Sequence, residues 1–253
     1  VHEMWAVRAL EAGRHVLLEK PLAGNATASA VIADAAERTG RRAFVGFHYR
    51  LHPFTQHLVE ALSPTVLGPA SRVEIDFSIP HFVVKPGNIR LDGDLGGGAL
   101  MDVGCYAIDL VRAIWGEPEV VRAEAIHYEG DPRVDMQTDA VLRVSGGGEV
   151  RLRASFLGDD AGAMTLRASG GVAEAVATSV IVPQWGATLR VTRGGELVES
   201  HDADPADNSY ASQLAHLRDV LRDASPSVLD ASHGVGTMRV LDAIYRAAGL
   251  QPR

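Results

Sequence analysis

Two kinds of hydrophobic spacing divide the chain. Up to residue 47, helical spacing alternates with short apolar runs. Met4, Val7, Ala9 and Leu10 recur at near-helical intervals until Gly13, and Val16 to Leu18 then form a brief apolar run. Residues 25–38 predict an amphipathic helix capped by Asn25 or Thr27, with Ala28, Val31, Ile32, Ala35 and Ala36 on one face and Gly40 at its end. Ala43 to Phe47 is a second apolar run. Helix, strand, helix, strand in that order implies parallel βα units. A further helix is expected over 53–62, followed by a turn at Gly68-Pro69.

From residue 71 the period becomes two. Val73, Ile75, Phe77 and Ile79 alternate with Arg72, Glu74, Asp76 and Ser78, as in a strand with one wet face. The same alternation returns at 119–128, 138–144 and 149–156, and more weakly at 163–169, 172–178, 187–193 and 196–200, with glycine-containing turns between most of them. Together they predict a largely antiparallel sheet of six or more strands. Helices over about 207–223 and 232–249 are expected to close the chain.

One segment interrupts the strand pattern. Gly96-Gly97-Gly98 opens a helix expected to run to Trp115, in which Asp102, Tyr106 and Asp109 stand at i, i+4 and i+7 on one face. A solvated stripe gives the same spacing. Leu100, Met101, Val103, Ile108, Leu110 and Val111 make this helix apolar, however, and buried carboxylates and phenols need partners. A second polar cluster, Glu19-Lys20-Pro21, ends the first apolar run. In open α/β sheets ligands bind at that carboxyl edge, and Pro21 would aim Lys20 by a rigid turn, through a peptide bond that can be cis.

Composition narrows the classes. A formal charge of −8 over 253 residues, with no Lys/Arg run, argues against a nucleic-acid partner. One cysteine, Cys105, precludes an internal disulfide and suits a reducing cytoplasm. No apolar stretch approaches the roughly 18 residues of a membrane span, and no signal-peptide pattern opens the chain. Its first residue, Val1, falls inside an expected helix, which suggests a start in mid-domain.

The segments Ala12–Ala23 (AGRHVLLEKPLA), Gly46–Pro53 (GFHYRLHP) and Gly96–Tyr106 (GGGALMDVGCY), with Tyr210…Gln213 and Asp242-Ala243…Tyr245, resemble the Gfo/Idh/MocA oxidoreductases over essentially the whole chain. The resemblance implies an α/β protein. Residues 1–50 would be the C-terminal part of a dinucleotide-binding Rossmann domain, a partial Rossmann-like parallel sheet. Residues 51–253 would be an α+β substrate and oligomerisation domain with a large, mostly antiparallel open sheet, helix 232–249 packing back on the first part. It implies NAD or NADP as cofactor, a sugar or polyol as substrate, and a homo-oligomer, dimer or tetramer, formed through the open sheet.

By position in the family, Lys20, Asp102 and Tyr106 are the catalytic residues. Glu19, Lys20, Pro21 and Arg50, with His2, border the cofactor, and Tyr49, Arg90, Asp102 and Tyr106 face the substrate. Tyr106 stands where many members carry histidine. That departure, with Asn88-Ile89-Arg90, is similar to the glucose-fructose oxidoreductase, dihydrodiol dehydrogenase and xylose dehydrogenase branch. The expected reaction is hydride transfer between a nicotinamide and a hydroxyl carbon of a sugar or cyclic diol. Tyr106 would be the acid/base, with Lys20 favouring its anion and bringing it toward neutrality, and Asp102 would orient Lys20 or a substrate hydroxyl.

Gly-x-Gly-x-x-Gly, the family's pyrophosphate cradle, is absent from this sequence. The alternative is therefore a truncated, non-catalytic relative that keeps its sheet for self-association. His48, His52 and His57 suggest a metal site only weakly, because Pro53 disfavours helix at His52, and no metal is expected. Cys105 is expected to be a buried small hydrophobe rather than a nucleophile.

Overall fold

The structure, a computed structural model, describes residues 1–158 and 162–253. In chain order its elements are α1 (His2–Glu11), β1 (Val16–Leu18), α2 (Ala26–Thr39), β2 (Ala43–Val45), α3 (Pro53–Ala61), β3 (Ala70–Pro80), α4 (Cys105–Trp115), β4 (Glu119–Tyr128), β5 (Asp131–Arg143), β6 (Glu149–Gly158), β7 (Met164–Gly170), β8 (Glu174–Thr178), β9 (Thr188–Arg193), β10 (Glu196–Asp202), α5 (Ser209–Asp223) and α6 (Ala231–Ala247).

Strands β1 and β2 pair in parallel, Val16 opposite Ala43 and Leu18 opposite Val45. Just past them the chains close up: Gly46 donates to the Leu18 carbonyl at 2.7 Å. A Cβ on Gly46 would lie 2.9 Å from that oxygen, so only glycine permits the approach. The return of the chain covers the far edge of β2, where Val45 donates to the Leu229 carbonyl at 2.8 Å. Helix α6 packs on α2 and ties to its start, because Asp242 Oδ2 accepts from Ala26 N at 3.1 Å. Asn25, the side-chain cap of α2, accepts from Ala28 N at 2.8 Å, a contact worth about 1 kcal/mol.

The second sheet has eight strands in the order β10-β9-β8-β7-β3-β6-β5-β4. Every pairing is antiparallel except β3 with β6, in the middle, which runs parallel from Arg72–Glu149 onward. The expected α/β architecture, a small parallel sheet beside a large and mostly antiparallel one, is the one found. Val73, Ile75, Leu152, Ala154 and Leu166 are buried on its inner face. Gly104 rests there too: a Cβ on it would lie 2.7 Å from Leu100 Cδ1 and 3.1 Å from the Ala154 methyl. The opposite face is open and charged, with Arg153 on Asp139 at 2.7 Å.

The helix expected from the glycine triplet to Trp115 is present but not uniform. Residues Leu100–Gly104 form a π-helical turn before α4 begins at Cys105. Such wide turns collect at functional sites, because the extra residue per turn releases backbone groups from the regular ladder. Asp102 and Asp109 consequently serve different surroundings, as described next. The described strand at β5 also starts seven residues before the expected 138, because Asp131, Asp135 and Gln137 pair with β4.

Candidate active site

Lys20 lies at the carboxyl end of β1, followed by a cis bond to Pro21. Its ammonium donates to the carbonyl oxygen of Asp102 at 2.6 Å and to Asp102 Oδ1 at 2.8 Å. That carbonyl lies within the π-helical turn Leu100–Gly104. Arg90 Nε holds the other carboxylate oxygen at 2.5 Å. Asp102 thus contacts Lys20 twice and is itself held by Arg90. Among the described residues the third Lys20 proton has no acceptor, which leaves one donor for a substrate oxygen.

Burial opposes charge on both partners. Burial pulls the Lys20 ammonium down, but nearby anionic charge outweighs it and holds the group above its ordinary range. Cys105 cannot supply that charge at neutral pH, since burial pushes its thiol up to about 12, so Asp102 does. In turn burial pushes the Asp102 carboxyl up, and Lys20 with Arg90 brings it below the usual carboxylate range.

Tyr106 is 8% exposed and lies one helical turn beyond Asp102. The Lys20 ammonium sits over its ring, 5.0 Å from the centroid. The amine from the first sheet and the phenol from α4 therefore share one place. Their electrostatic relation differs from the expectation: burial drives the phenol well above its ordinary value, with Cys105 and Glu19 adding to the rise. Lys20 faces the ring and gives its protons to Asp102, so it does not bring the phenol toward neutrality.

Two expected contact residues are turned away from the cleft. Tyr49 is fully buried, and its hydroxyl donates to Asp109 Oδ2 at 2.5 Å and to the Tyr106 carbonyl at 3.3 Å. Arg50 is committed to the same Asp109 oxygen at 3.1 Å. His233 of α6 holds Asp109 Oδ1 at 2.6 Å. Tyr49 and Arg50 thus brace α4 from behind, and neither lines the cleft beside Lys20. The sequence named Asp109 on the buried face and Tyr245 in a family-like segment but missed their partners His233 and Asp135, because it shows residue types and not which of them meet.

A cleft of about 570 Å³ opens beside Lys20, lined by His2, Glu19, Lys20, Pro21, Arg90 and Asp102 among others, together with Gly96, Gly97 and Gly98. Its glycine wall is pinned from below by Asp135. That fully buried carboxylate accepts from Leu100 N at 2.8 Å, Thr138 Oγ1 at 2.8 Å and Tyr245 OH at 2.9 Å. Burial nevertheless pushes its carboxyl up. A larger hollow of about 670 Å³ lies on the open sheet face among Arg122, Arg151, Arg153 and Arg167. It contains neither Lys20 nor Asp102, which both line the smaller cleft.

The three histidines once considered together go to separate partners: His48 to Ser209, His52 to the backbone of Phe54, and His57 to Glu199. Among the described residues no group of three or more His, Cys, Asp or Glu is placed to hold a metal. Nor is any described helix long and apolar enough to cross a membrane.

Comparison with known proteins fits this geometry. Residues 1–47 match the profile of the oxidoreductase family with an NAD-binding Rossmann fold, and residues 55–193 that of the GFO/IDH/MocA C-terminal domain. D-xylose 1-dehydrogenase (NADP(+)) 2 from Haloferax volcanii is 33% identical over 250 residues, covering 98% of this chain and 75% of the relative. Trans-1,2-dihydrobenzene-1,2-diol dehydrogenase from Xenopus laevis is 30% identical over 148 residues, 58% of this chain and 43% of that one. Among solved structures, aldose-aldose oxidoreductase from Caulobacter crescentus complexed with glycerol superimposes with a TM-score of 0.87 at 27% identity, over 98% of this chain and 74% of that one.

Fold and sequence together define an oxidoreductase that works with a nicotinamide cofactor, NAD or NADP. The chain belongs to the Gfo/Idh/MocA family of these enzymes. The cleft's lining is compatible with part of such a cofactor. Pro21, Ala23, Gly24 and the Gly96–Gly98 backbone offer low walls for a flat ring beside the Lys20 ammonium, at the strand ends where α/β sheets take dinucleotides.

Proposed function

We propose that this chain transfers hydride between NAD(P) and a hydroxyl carbon of a small sugar or cyclic diol. Lys20, Asp102 and Tyr106 would serve as its catalytic set, and Glu19, Lys20, Pro21 and His2 would border the cofactor. The observation that carries the reading is the fixed Lys20 ammonium, 2.8 Å from Asp102 and 5.0 Å from the Tyr106 ring, inside a cleft at the ends of β1 and β2.

The bound nicotinamide supplies or accepts the hydride. This chain's residues manage the oxygen. Lys20 directs its free N–H at the alkoxide that develops as the C–H bond breaks, and a charge-assisted bond in a dry site stabilises it far more than water would. Asp102 and Arg90 keep that ammonium charged and aimed. Tyr106 exchanges the hydroxyl proton. Because its phenol is held neutral, it is loaded as a donor, which favours carbonyl reduction at neutral pH and alcohol oxidation at alkaline pH.

The Haloferax and Xenopus relatives support the sugar or diol class. The charged, self-complementary open face of the sheet supports association of two copies there, and the buried lone thiol supports a reducing, cytoplasmic setting. The test is spectrophotometric: purified protein with NADP+ or NAD+ against aldoses, inositols, cyclic diols and simple alcohols. Turnover of at least one sugar or diol is expected. Turnover of none, with cofactor binding verified by a rise in melting temperature, would overturn the substrate class.

A further inference from the structure

His48 lies three residues past the end of β2, in the short 3-10 turn His48–Leu51, and is 4% exposed. Its Nδ1 lies 2.9 Å from Ser209 Oγ, a buried hydroxyl in the first turn of α5. The next residue on that helix, Tyr210, stacks on the imidazole with ring centroids 4.0 Å apart and planes 21° from parallel. Tyr210 keeps 52% of its surface exposed. The two rings form a plate whose inner member is locked and whose outer member is open.

This plate stands beside the reaction centre. The His48 ring lies 6.4 Å from the Tyr106 ring, at 71° to it. Among the described residues, neither His48 Nε2 nor the Tyr106 hydroxyl has a hydrogen-bond partner, and neither is one of the enclosed polar atoms left unpaired. An imidazole nitrogen kept from protein partners, while its twin is fixed by a buried serine, is a hydrogen-bonding position held ready for something that enters. Burial, with Lys20 nearby, holds the imidazole's pKa down to about 4, so the ring is neutral and does not repel the ammonium.

We propose that His48 and Tyr210 form a specificity subsite for the substrate. His48 Nε2 binds a second hydroxyl of the molecule being oxidised, and the open Tyr210 ring carries an apolar face of its carbon ring. This rests on the reading of the chain as a sugar or diol dehydrogenase. The ligand it selects is a polyol with at least two hydroxyls, because the ring offers one uncharged hydrogen-bonding nitrogen that a hydroxyl can match. A site with a hydrogen-bonding group in place penalises an analogue that lacks the matching hydroxyl.

The experiment compares trans-cyclohexane-1,2-diol with cyclohexanol, and D-xylose with its 2-deoxy analogue. It measures kcat/KM with NADP+ and, independently of turnover, sugar and diol binding by saturation-transfer NMR. The wild type should favour the molecule with the second hydroxyl by roughly tenfold or more. His48→Phe should collapse that preference to within about threefold through KM, with the KM for NADP+ unchanged. His48→Asn, which keeps a neutral hydrogen-bonding group, should restore part of it. Ser209→Ala, a milder change that unlocks the ring, should lower the preference and covers the case in which His48→Phe fails to fold.

An unchanged preference in folded His48→Phe and Ser209→Ala overturns the subsite and leaves the dehydrogenase reading standing. Diol binding that His48→Phe abolishes, in a protein with no turnover, supports the subsite and overturns the dehydrogenase reading. Absence of both binding and turnover in the wild type overturns both.

Discussion

The Lys20 ammonium lies 2.6 Å from the carbonyl oxygen and 2.8 Å from the carboxylate of one residue, Asp102, which is 82 positions further along the chain. Two of its three protons are thereby engaged, and the geometry of the third is set by the π-helical turn on which Asp102 sits. The cation is held in place before any substrate arrives, which is how a site lowers a barrier without reorganising during the reaction.

Removing the amine while keeping its stem should therefore separate catalysis from folding. Lys20→Met is expected to reduce kcat by at least about 10³-fold, in the range of losing a principal charge stabiliser, while shifting the melting temperature little. Asp102→Asn should retain some activity, since its carbonyl still receives Lys20. Steady-state kinetics alongside thermal melts checks both, and near-normal kcat in folded Lys20→Met would remove the residue from the mechanism.

Tyr106 carries a prediction in pH. Its phenol is raised by burial, so the protonated form predominates through neutrality and the anion grows only at alkaline pH. Carbonyl reduction should be flat between about pH 6 and 9, whereas alcohol oxidation should climb with pH across that interval without a plateau. Tyr106→Phe should lower kcat by about 10²-fold or more and abolish the climb. An oxidation profile that levels near neutrality in the wild type contradicts the assignment.

Asp109 carries a prediction in stability. Burial pushes its carboxyl up, but Arg50 and the hydrogen bonds from His233 and Tyr49 outweigh that and hold it below the usual carboxylate range. Asp109→Asn leaves the Arg50 guanidinium, itself only 10% exposed, without its counter-charge, at a cost of about 3 kcal/mol. Chemical denaturation should show the loss. The double variant Asp109→Asn with Arg50→Met should recover part of it, because the uncompensated charge is then gone. The Asp109 contribution is present above the ordinary carboxylate range and is lost as pH falls through its depressed pKa.

Gly98 has φ +133°, a conformation nearly reserved for glycine, and a Cβ there would run into the Asp135 carboxylate with Tyr245 and Arg253 3.1 Å away. Gly98→Ala should cost at least about 2 kcal/mol and loosen the cleft wall. A raised cofactor KM should accompany the fall in melting temperature. Gly87→Ala, also at positive φ but with nothing within 4 Å, should show the strain cost without the change in KM.

Much of this was legible in the sequence because the signals are local. The alternation of Val73, Ile75 and Phe77 with charged neighbours is a property of one strand's pleat, and the spacing in 25–38 is a property of one helix's turn. Lys20, Asp102 and Tyr106 could be named as candidates because they fall in two of three short motifs that occur in order. The break in the helix at Leu100–Gly104 carried no comparable signal, since apolar and small residues there suit an α-turn equally well.

What the residues meet was decided only by the tertiary structure. The sequence determined that Tyr49 and Arg50 follow a strand at a ligand-binding edge; packing turned them inward to Asp109, and α6 brought His233 from the far end of the chain. It determined that a lysine and a tyrosine were candidates for one site; burial, with Lys20 over the ring and hydrogen-bonded to Asp102, raised the phenol's pKa instead of lowering it. Periodicity and motif are written along the chain, whereas desolvation and pairing depend on which distant atoms share a volume.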